Sequence, residues 1–123
     1  MTNVLHLPAR AAAPIACDMS SAPDTPGERL QEYERLFERA LLQRERRPGA
    51  VVFRFRPEAR AAVEDLARRE AACCPFLGHR VEAELIWTIT GDERAEAVLD
   101  AFHDLPDLAR CRCRSGAGRS SPA

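Results

Sequence analysis

The fold is decided by the stretch VVFRFRPEARAAVEDLARREAACCPFL, residues 51–77 of a chain of 123 residues. Its first six residues alternate between the two faces of an extended chain, as in a half-buried strand. Pro57 ends that strand and opens a helix, in which apolar residues recur at steps of three and four until Pro75. The stretch therefore predicts a strand and then an amphipathic helix that closes on two adjacent cysteines, Cys73 and Cys74.

A second helix is predicted upstream of this stretch. Thr25 is a good N-cap residue, Pro26 suits the first helical position, and Glu28 lies three residues after the cap, so the three together form a capping box. An apolar stripe at helical spacing follows and continues until Pro48 and Gly49 interrupt it. We expect one amphipathic helix over this whole interval, with one face on the core.

The remaining elements complete an α+β domain. Residues 77–90 predict a hairpin with a turn near residues 82–84, and a last helix is expected to begin near Asp92. Residues 15–17, Ile-Ala-Cys, are short and apolar and predict an edge strand. The expected fold class is α+β, with three amphipathic helices packed on a small sheet of three to four strands.

Composition predicts one soluble domain with two loosely ordered ends. The chain is 46% hydrophobic and 30% charged, with a formal net charge of -1. It therefore lacks the excess of basic residues that would indicate direct binding of nucleic acid. No segment approaches the roughly 20 apolar residues of a membrane span. We expect a flexible N-terminal arm over residues 1–13, a single α+β domain over residues 14–106, and a disordered Arg/Ser/Gly tail over residues 107–123.

The cysteine count favours a reducing compartment. Five cysteines are an odd number, and their spacing does not match a secreted disulfide framework. Reduced thiols are the usual state in the cytoplasm. The sequence therefore predicts a cytoplasmic protein with free thiols.

The adjacent Cys73 and Cys74 carry the chemistry. Thiolate sulfur is a soft ligand that suits Cu(I), Zn(II) and related thiophilic ions. The C-terminal end of a helix is the negative end of its dipole, which disfavours a thiolate and favours a cation. Glu70 precedes the two cysteines by three and four residues and lies on the same surface of the helix. This pattern favours metal binding over thiol catalysis.

Adjacent helical residues point about 100° apart, so both cysteines reach one ion only if the last turn unwinds, which Pro75 favours. Trigonal coordination would also need a third ligand. Cys17 is the first candidate, and His79 and Glu70 follow. In the tail, Cys111 and Cys113 have a C-x-C spacing that can hold one soft ion. Each of these residues also has a purely structural interpretation, such as a buried cysteine that packs as a small hydrophobe.

The I-A-C run at residues 15–17 and the E-A-A-C-C-P-F run at residues 70–76 resemble a small bacterial domain with I-A-C early and E-x-x-C-C-P-F later. Proteins of this kind stand alone or lie beside MerR-type heavy-metal regulators. The resemblance covers about residues 14–105 and implies a thiophilic-metal context, with a MerR-type regulator or a metal-handling protein as a partner. The chain has no helix-turn-helix signal of its own.

Three hypotheses follow. The first is a cytoplasmic protein that binds Hg(II), As(III), Cu(I) or Zn(II) through the Cys73–Cys74 pair and Cys17. The second is a thiol-dependent enzyme that acts on an organometallic or other thiophilic substrate, with Glu70 as a proton relay. The third is a protein-binding accessory module whose cysteines only pack. A homodimer is a further expectation in each case.

Overall fold

The structure is a computed structural model that describes the backbone of residues 4–10 and 13–120 and the side chains of residues 4–10 and 13–108. These residues form three α-helices and five strands, and short 3₁₀ turns at Pro57–Ala59 and Glu93–Ala95 lead into the second and third helices. In chain order the elements are β1 Leu5–Leu7, α1 Pro26–Ala40, β2 Leu41–Arg47, β3 Ala50–Phe55, α2 Arg60–Cys73, β4 Gly78–Val81, β5 Ile86–Thr90 and α3 Glu96–Ser120.

The strands form one antiparallel sheet in the order β1-β4-β5-β3-β2. The α+β prediction is confirmed by this arrangement, but the predicted number of strands is wrong, because the sheet has five rather than three or four. The two strands that the sequence did not predict, β1 and β2, lie at the two edges of the sheet. The central hairpin of β4 and β5 and the strand β3 were the parts that the sequence predicted.

Strand β2 corrects the predicted extent of the first helix. The capping box is present, with the Thr25 side chain accepting from the Glu28 N–H and the Glu28 side chain accepting from the Thr25 N–H. Helix α1 nevertheless ends at Ala40, and the next seven residues pair with β3 around a turn at Pro48 and Gly49. Gly49 has a φ of 75°, which a type II turn requires at its third position.

The first edge strand lies earlier in the chain than predicted. Residues 15–17 have no strand structure, whereas Leu5–Leu7 pairs with β4 in the register Leu5 to Val81. Residues 13–25 instead run as an irregular segment between β1 and α1. The proposed domain limits at residues 13 and 106 stay a prediction.

The turn between β4 and β5 contains a leucine in an unusual backbone conformation. Leu85 has a φ of 63°, in the left-handed region that normally favours glycine, and its side chain is completely buried. Its N–H donates to the Glu82 carbonyl, and its carbonyl accepts from the Phe55 N–H. Core contact therefore compensates for the local backbone cost at this position.

The core lies between the helices and one face of the sheet. Aromatic rings from α1, β3, β5 and α3 form a continuous group with ring centroids 5.4 to 6.4 Å apart. Its members are Tyr33, Phe37, Phe53, Phe55, Trp87 and Phe102. Cys73, the last residue of α2, and Cys74, its C-cap, belong to the same buried core, and Tyr33 of the aromatic group donates to Glu70 of α2. Within the described residues, no helix is both long enough and apolar enough to cross a bilayer.

Candidate thiol site

The irregular segment before α1 crosses the C-terminal end of α2. The Asp18 N–H donates to the Cys73 carbonyl at 2.9 Å, and the Arg10 N–H donates to the Pro75 carbonyl at 2.7 Å. The last carbonyls of a helix have no partner within the helix, so the bond to Cys73 satisfies a group that would otherwise need water. The bond to Pro75 holds the chain just beyond the helix end. Cys17, next to Asp18, lies close enough to bond with Cys74.

Cys17 and Cys74 are joined by a disulfide, with their Cα atoms 4.5 Å apart and their positions 57 apart in the sequence. Cys17 is the residue that the sequence singled out as the third sulfur, and it meets one member of the pair. The structure differs from the expectation of free thiols at these two positions. Cys73 is a free, buried cysteine.

The two adjacent sulfurs do not share one partner. Cys74 lies at the C-cap position, where its N–H still donates to the Glu70 carbonyl at 2.8 Å, so the last turn is not unwound. The Cys73 sulfur instead lies 3.7 Å from Nη1 of Arg29, a residue of α1 that is only 4% exposed. The predicted pair is thus divided between Cys17 on one side and a buried guanidinium on the other.

Glu70 lies between these two halves of the site. Its Oε1 is 3.9 Å from the Cys74 sulfur, and because that sulfur is in a disulfide and carries no hydrogen, this is a contact and not a hydrogen bond. Its Oε2 accepts from the Tyr33 hydroxyl at 2.7 Å and lies 3.4 Å from Nη1 of Arg29. Burial, with the nearby Glu70 charge, raises the pKa of Tyr33 well above its usual range.

An ion-pair network holds Arg29 in place. Asp24 accepts from Nε and Nη2 of Arg29, both at 2.7 Å, and also accepts from Arg69. The paired hydrogen bonds from Arg29 lower the pKa of Asp24 to about 2, and the same bonds raise the pKa of Arg29. Arg69 in turn pairs with Glu32 of α1, which ties α1 and α2 together beside the sulfurs. We call Cys17, Cys73, Cys74, Glu70 and Arg29 the thiol site.

His79, a predicted ligand, lies on β4, where its side chain forms a hydrogen bond with Trp87 and not with a residue of the thiol site. It is 1% exposed on β4, and its Nδ1 accepts from Nε1 of Trp87 at 3.1 Å. Its Nε2 has no hydrogen-bond partner within the part of the chain that the structure describes. Desolvation lowers the pKa of His79 to about 4.

In the part of the chain with described side chains, no three His, Cys, Asp or Glu residues are arranged to hold a metal ion. The side chains of Cys111 and Cys113 lie outside the described residues. What the structure does bring together is Cys17 with Cys74, the carboxylate of Glu70 beside that bond, and Cys73 against Arg29.

The sequence did not indicate Arg29 as part of the thiol site, or Tyr33 as the hydrogen-bond partner of Glu70. Both lie on α1, four residues apart and therefore on the same helix face. A tyrosine within an apolar stripe usually needs a partner for its hydroxyl, which was a usable signal. The partner itself, Glu70, is 37 positions away, a separation that local patterns do not bridge.

No protein-family model, curated protein or solved structure matches the chain.

Proposed function

We propose that the reduced chain binds a thiophilic metal or metalloid ion through the thiolates of Cys17 and Cys74, with Cys73 as a neighbouring third sulfur. The observation that carries the proposal is the convergence of Cys17 and Cys74 from two distant parts of the chain. Two sulfurs that share an ion are at most about 4.6 Å apart, twice a metal–sulfur bond of about 2.3 Å. Small side-chain rotations after reduction would open that space.

The donor set favours ions of low coordination number. Two sulfurs and one carboxylate fall short of the four ligands of a structural zinc site. Hg(II) and Cu(I) accept two thiolates, and As(III) accepts three, which Cys73 would complete if it left Arg29. Among the four candidate ions we therefore rank Zn(II) last. The cellular context that we propose is the cytoplasm, beside a MerR-type regulator or a metal-handling protein.

The test is a titration of the reduced protein with mercuric chloride. Cys111 and Cys113 are replaced by Ser in every sample, and an excess of 2-mercaptoethanol suppresses binding to single thiols. We expect one ion per chain and thiolate-to-metal absorption. Cys17→Ser and Cys74→Ser should each weaken binding by at least about tenfold, or about 1.4 kcal/mol, because each leaves only one sulfur of the Cys17–Cys74 pair.

The matched control is Cys73→Ser, which should weaken binding less than either of the other two variants. Strong binding in Cys17→Ser, combined with loss of binding in Cys73→Ser, would contradict the proposal. It would indicate that Cys73 and Cys74 bind the ion. No uptake by any reduced sample would favour the third hypothesis, an accessory module whose cysteines only pack.

A second candidate function is a thiol-dependent enzyme that cleaves a carbon–metal bond. The observation in its favour is the Glu70 carboxyl group, 3.9 Å from the Cys74 sulfur, at a position from which a proton can be relayed to a metal-bound carbon. Turnover of phenylmercuric acetate that is lost in Glu70→Gln, while Hg(II) still binds, would favour the enzyme. Binding of Hg(II) without turnover would favour the binding protein.

A further inference from the structure

The two ends of the disulfide differ in their access to solvent. Cys17 is an exposed residue on the irregular segment between β1 and α1. Cys74 is 1% exposed and lies beneath that segment. Thiol–disulfide exchange requires that a thiolate reach one of the two sulfurs in line with the bond, and access decides which sulfur is attacked.

We infer that Cys17 is a thiol-exchange site, at which a small-molecule thiol forms a mixed disulfide and opens the bond to Cys74. The incoming thiolate attacks the Cys17 sulfur, a new sulfur–sulfur bond forms there, and the Cys17–Cys74 bond breaks. The electron pair of that bond passes to the Cys74 sulfur, which takes a proton from water. A second thiolate attacks the outer sulfur of the mixed disulfide, releases the small-molecule disulfide and leaves Cys17 as a thiolate. Two thiols are oxidised and one protein disulfide is reduced.

The surroundings of Cys74 favour reclosure after the first step. The charge that develops on the departing Cys74 sulfur faces the carboxylate of Glu70, at 3.9 Å in the closed form, and the two negative charges repel. The Asp18 N–H also holds the segment over the Cys73 carbonyl, so Cys17 stays close to Cys74. The mixed disulfide therefore has two competing fates, return to the closed form or capture by a second thiol.

Cys73 is kept out of this exchange. Its sulfur contacts the guanidinium of Arg29, and Arg29 is fixed by its paired hydrogen bonds to Asp24. A bond between Cys73 and Cys74 would require the Cys73 side chain to leave that contact. We expect the three sulfurs to exchange through Cys17 and not through an adjacent-pair disulfide.

The first experiment maps the earliest product. The oxidised protein with Cys111→Ser and Cys113→Ser is mixed with 2-mercaptoethanol, quenched with acid at short times and digested with trypsin. Cleavage at arginine places Cys17 in residues 11–29 and both Cys73 and Cys74 in residues 70–80. The first adduct is expected on residues 11–29. An adduct that appears first on residues 70–80, or an early Cys73–Cys74 disulfide, would overturn the inference.

The second experiment compares the two sulfurs when each is free. Cys74→Ser and Cys17→Ser, in the same background, are treated with 2-hydroxyethyl disulfide, and adducts are followed by mass spectrometry. Cys17 should react at least about tenfold faster than Cys74, because exposure governs the rate. Equal rates, or a faster Cys74, would count against the inference. Neither experiment contains a metal ion, so the result is independent of the proposed ion binding.

Discussion

At the scale of single residues, His79 is a buried polar group of the core with one side-chain hydrogen bond. Trp87 donates to its Nδ1, so the neutral ring carries its hydrogen on Nε2, and that atom has no hydrogen-bond partner among the described residues. A buried donor without an acceptor costs stability, and a second proton on the ring would cost more. This explains why burial lowers the pKa of His79 from its ordinary value of 6.5 to about 4.

The His79 pKa predicts a loss of stability in mild acid. Because its folded-state pKa lies below that of the unfolded chain, the unfolded chain binds the extra proton first, and the free energy of unfolding falls as the pH drops from about 6.5 to about 4. The contribution is about 3 kcal/mol, from about 1.4 kcal/mol per pKa unit. Urea unfolding of the wild type and of His79→Gln at pH 7 and pH 4 measures it.

The control for this prediction is His6→Gln, since His6 is exposed on β1. This variant should keep the whole pH dependence, whereas His79→Gln should lose about 3 kcal/mol of the difference between the two pH values. An unchanged pH dependence in His79→Gln would show that the buried imidazole is not its source.

At the scale of secondary-structure elements, the start of α1 was predictable and its end was not. A capping box is a local signal, and Thr25 and Glu28 form it as expected. Residues 41–47, LLQRERR, consist of good helix formers, yet they are a strand. Pairing with β3 overrides that preference, and the half-buried Arg44 and Arg46 reach carboxylates of α3. Such distant partners leave no local pattern.

The same limit applies to the thiol site. The sequence identified Cys17 and Cys74 because their residue type and nearby turn signals were visible, and the two do meet. It did not foresee the orientation of Cys73, because that depends on Arg29 and on the salt bridge of Arg29 with Asp24. The identity of a residue can be read from the sequence, whereas the direction of the Cys73 side chain depends on its contact with Arg29 of α1.

The capping box gives a prediction for α1. Thr25→Ala removes the side-chain oxygen that accepts from the Glu28 N–H and should lower the free energy of unfolding by about 1 kcal/mol. Urea unfolding with the disulfide intact measures the change. Ser21→Ala, an exposed position in the same irregular segment, is the matched control and should stay within about 0.5 kcal/mol of the wild type. Equal losses in both variants would argue against a capping effect.

At the scale of the whole molecule, the disulfide between Cys17 and Cys74 is a covalent link between distant parts of the chain. It links residues 57 positions apart and encloses α1, β2, β3 and α2 within one loop. Closing a loop of that length in the unfolded chain removes conformational entropy worth about 4 kcal/mol in the chain-entropy account. The short irregular segment before α1 is thereby fixed to the far end of α2.

Reduction should therefore lower the free energy of unfolding by about 4 kcal/mol. Urea unfolding with and without a phosphine reductant gives the difference for the wild type. Cys73→Ser retains the disulfide and should show the same difference, whereas Cys17→Ser should not respond to the reductant. If the wild-type midpoint is unaffected by reduction, the cross-link does not contribute in this way.

Leu85 has a consequence for the order in which the chain folds. A turn that places leucine in a left-handed conformation has no local preference to form, and it is stable only when the leucine side chain enters an assembled interior. Strands β4 and β5 are close in sequence, yet we expect their hairpin to close late in folding, after β3 and the helices have formed the interior that buries Leu85.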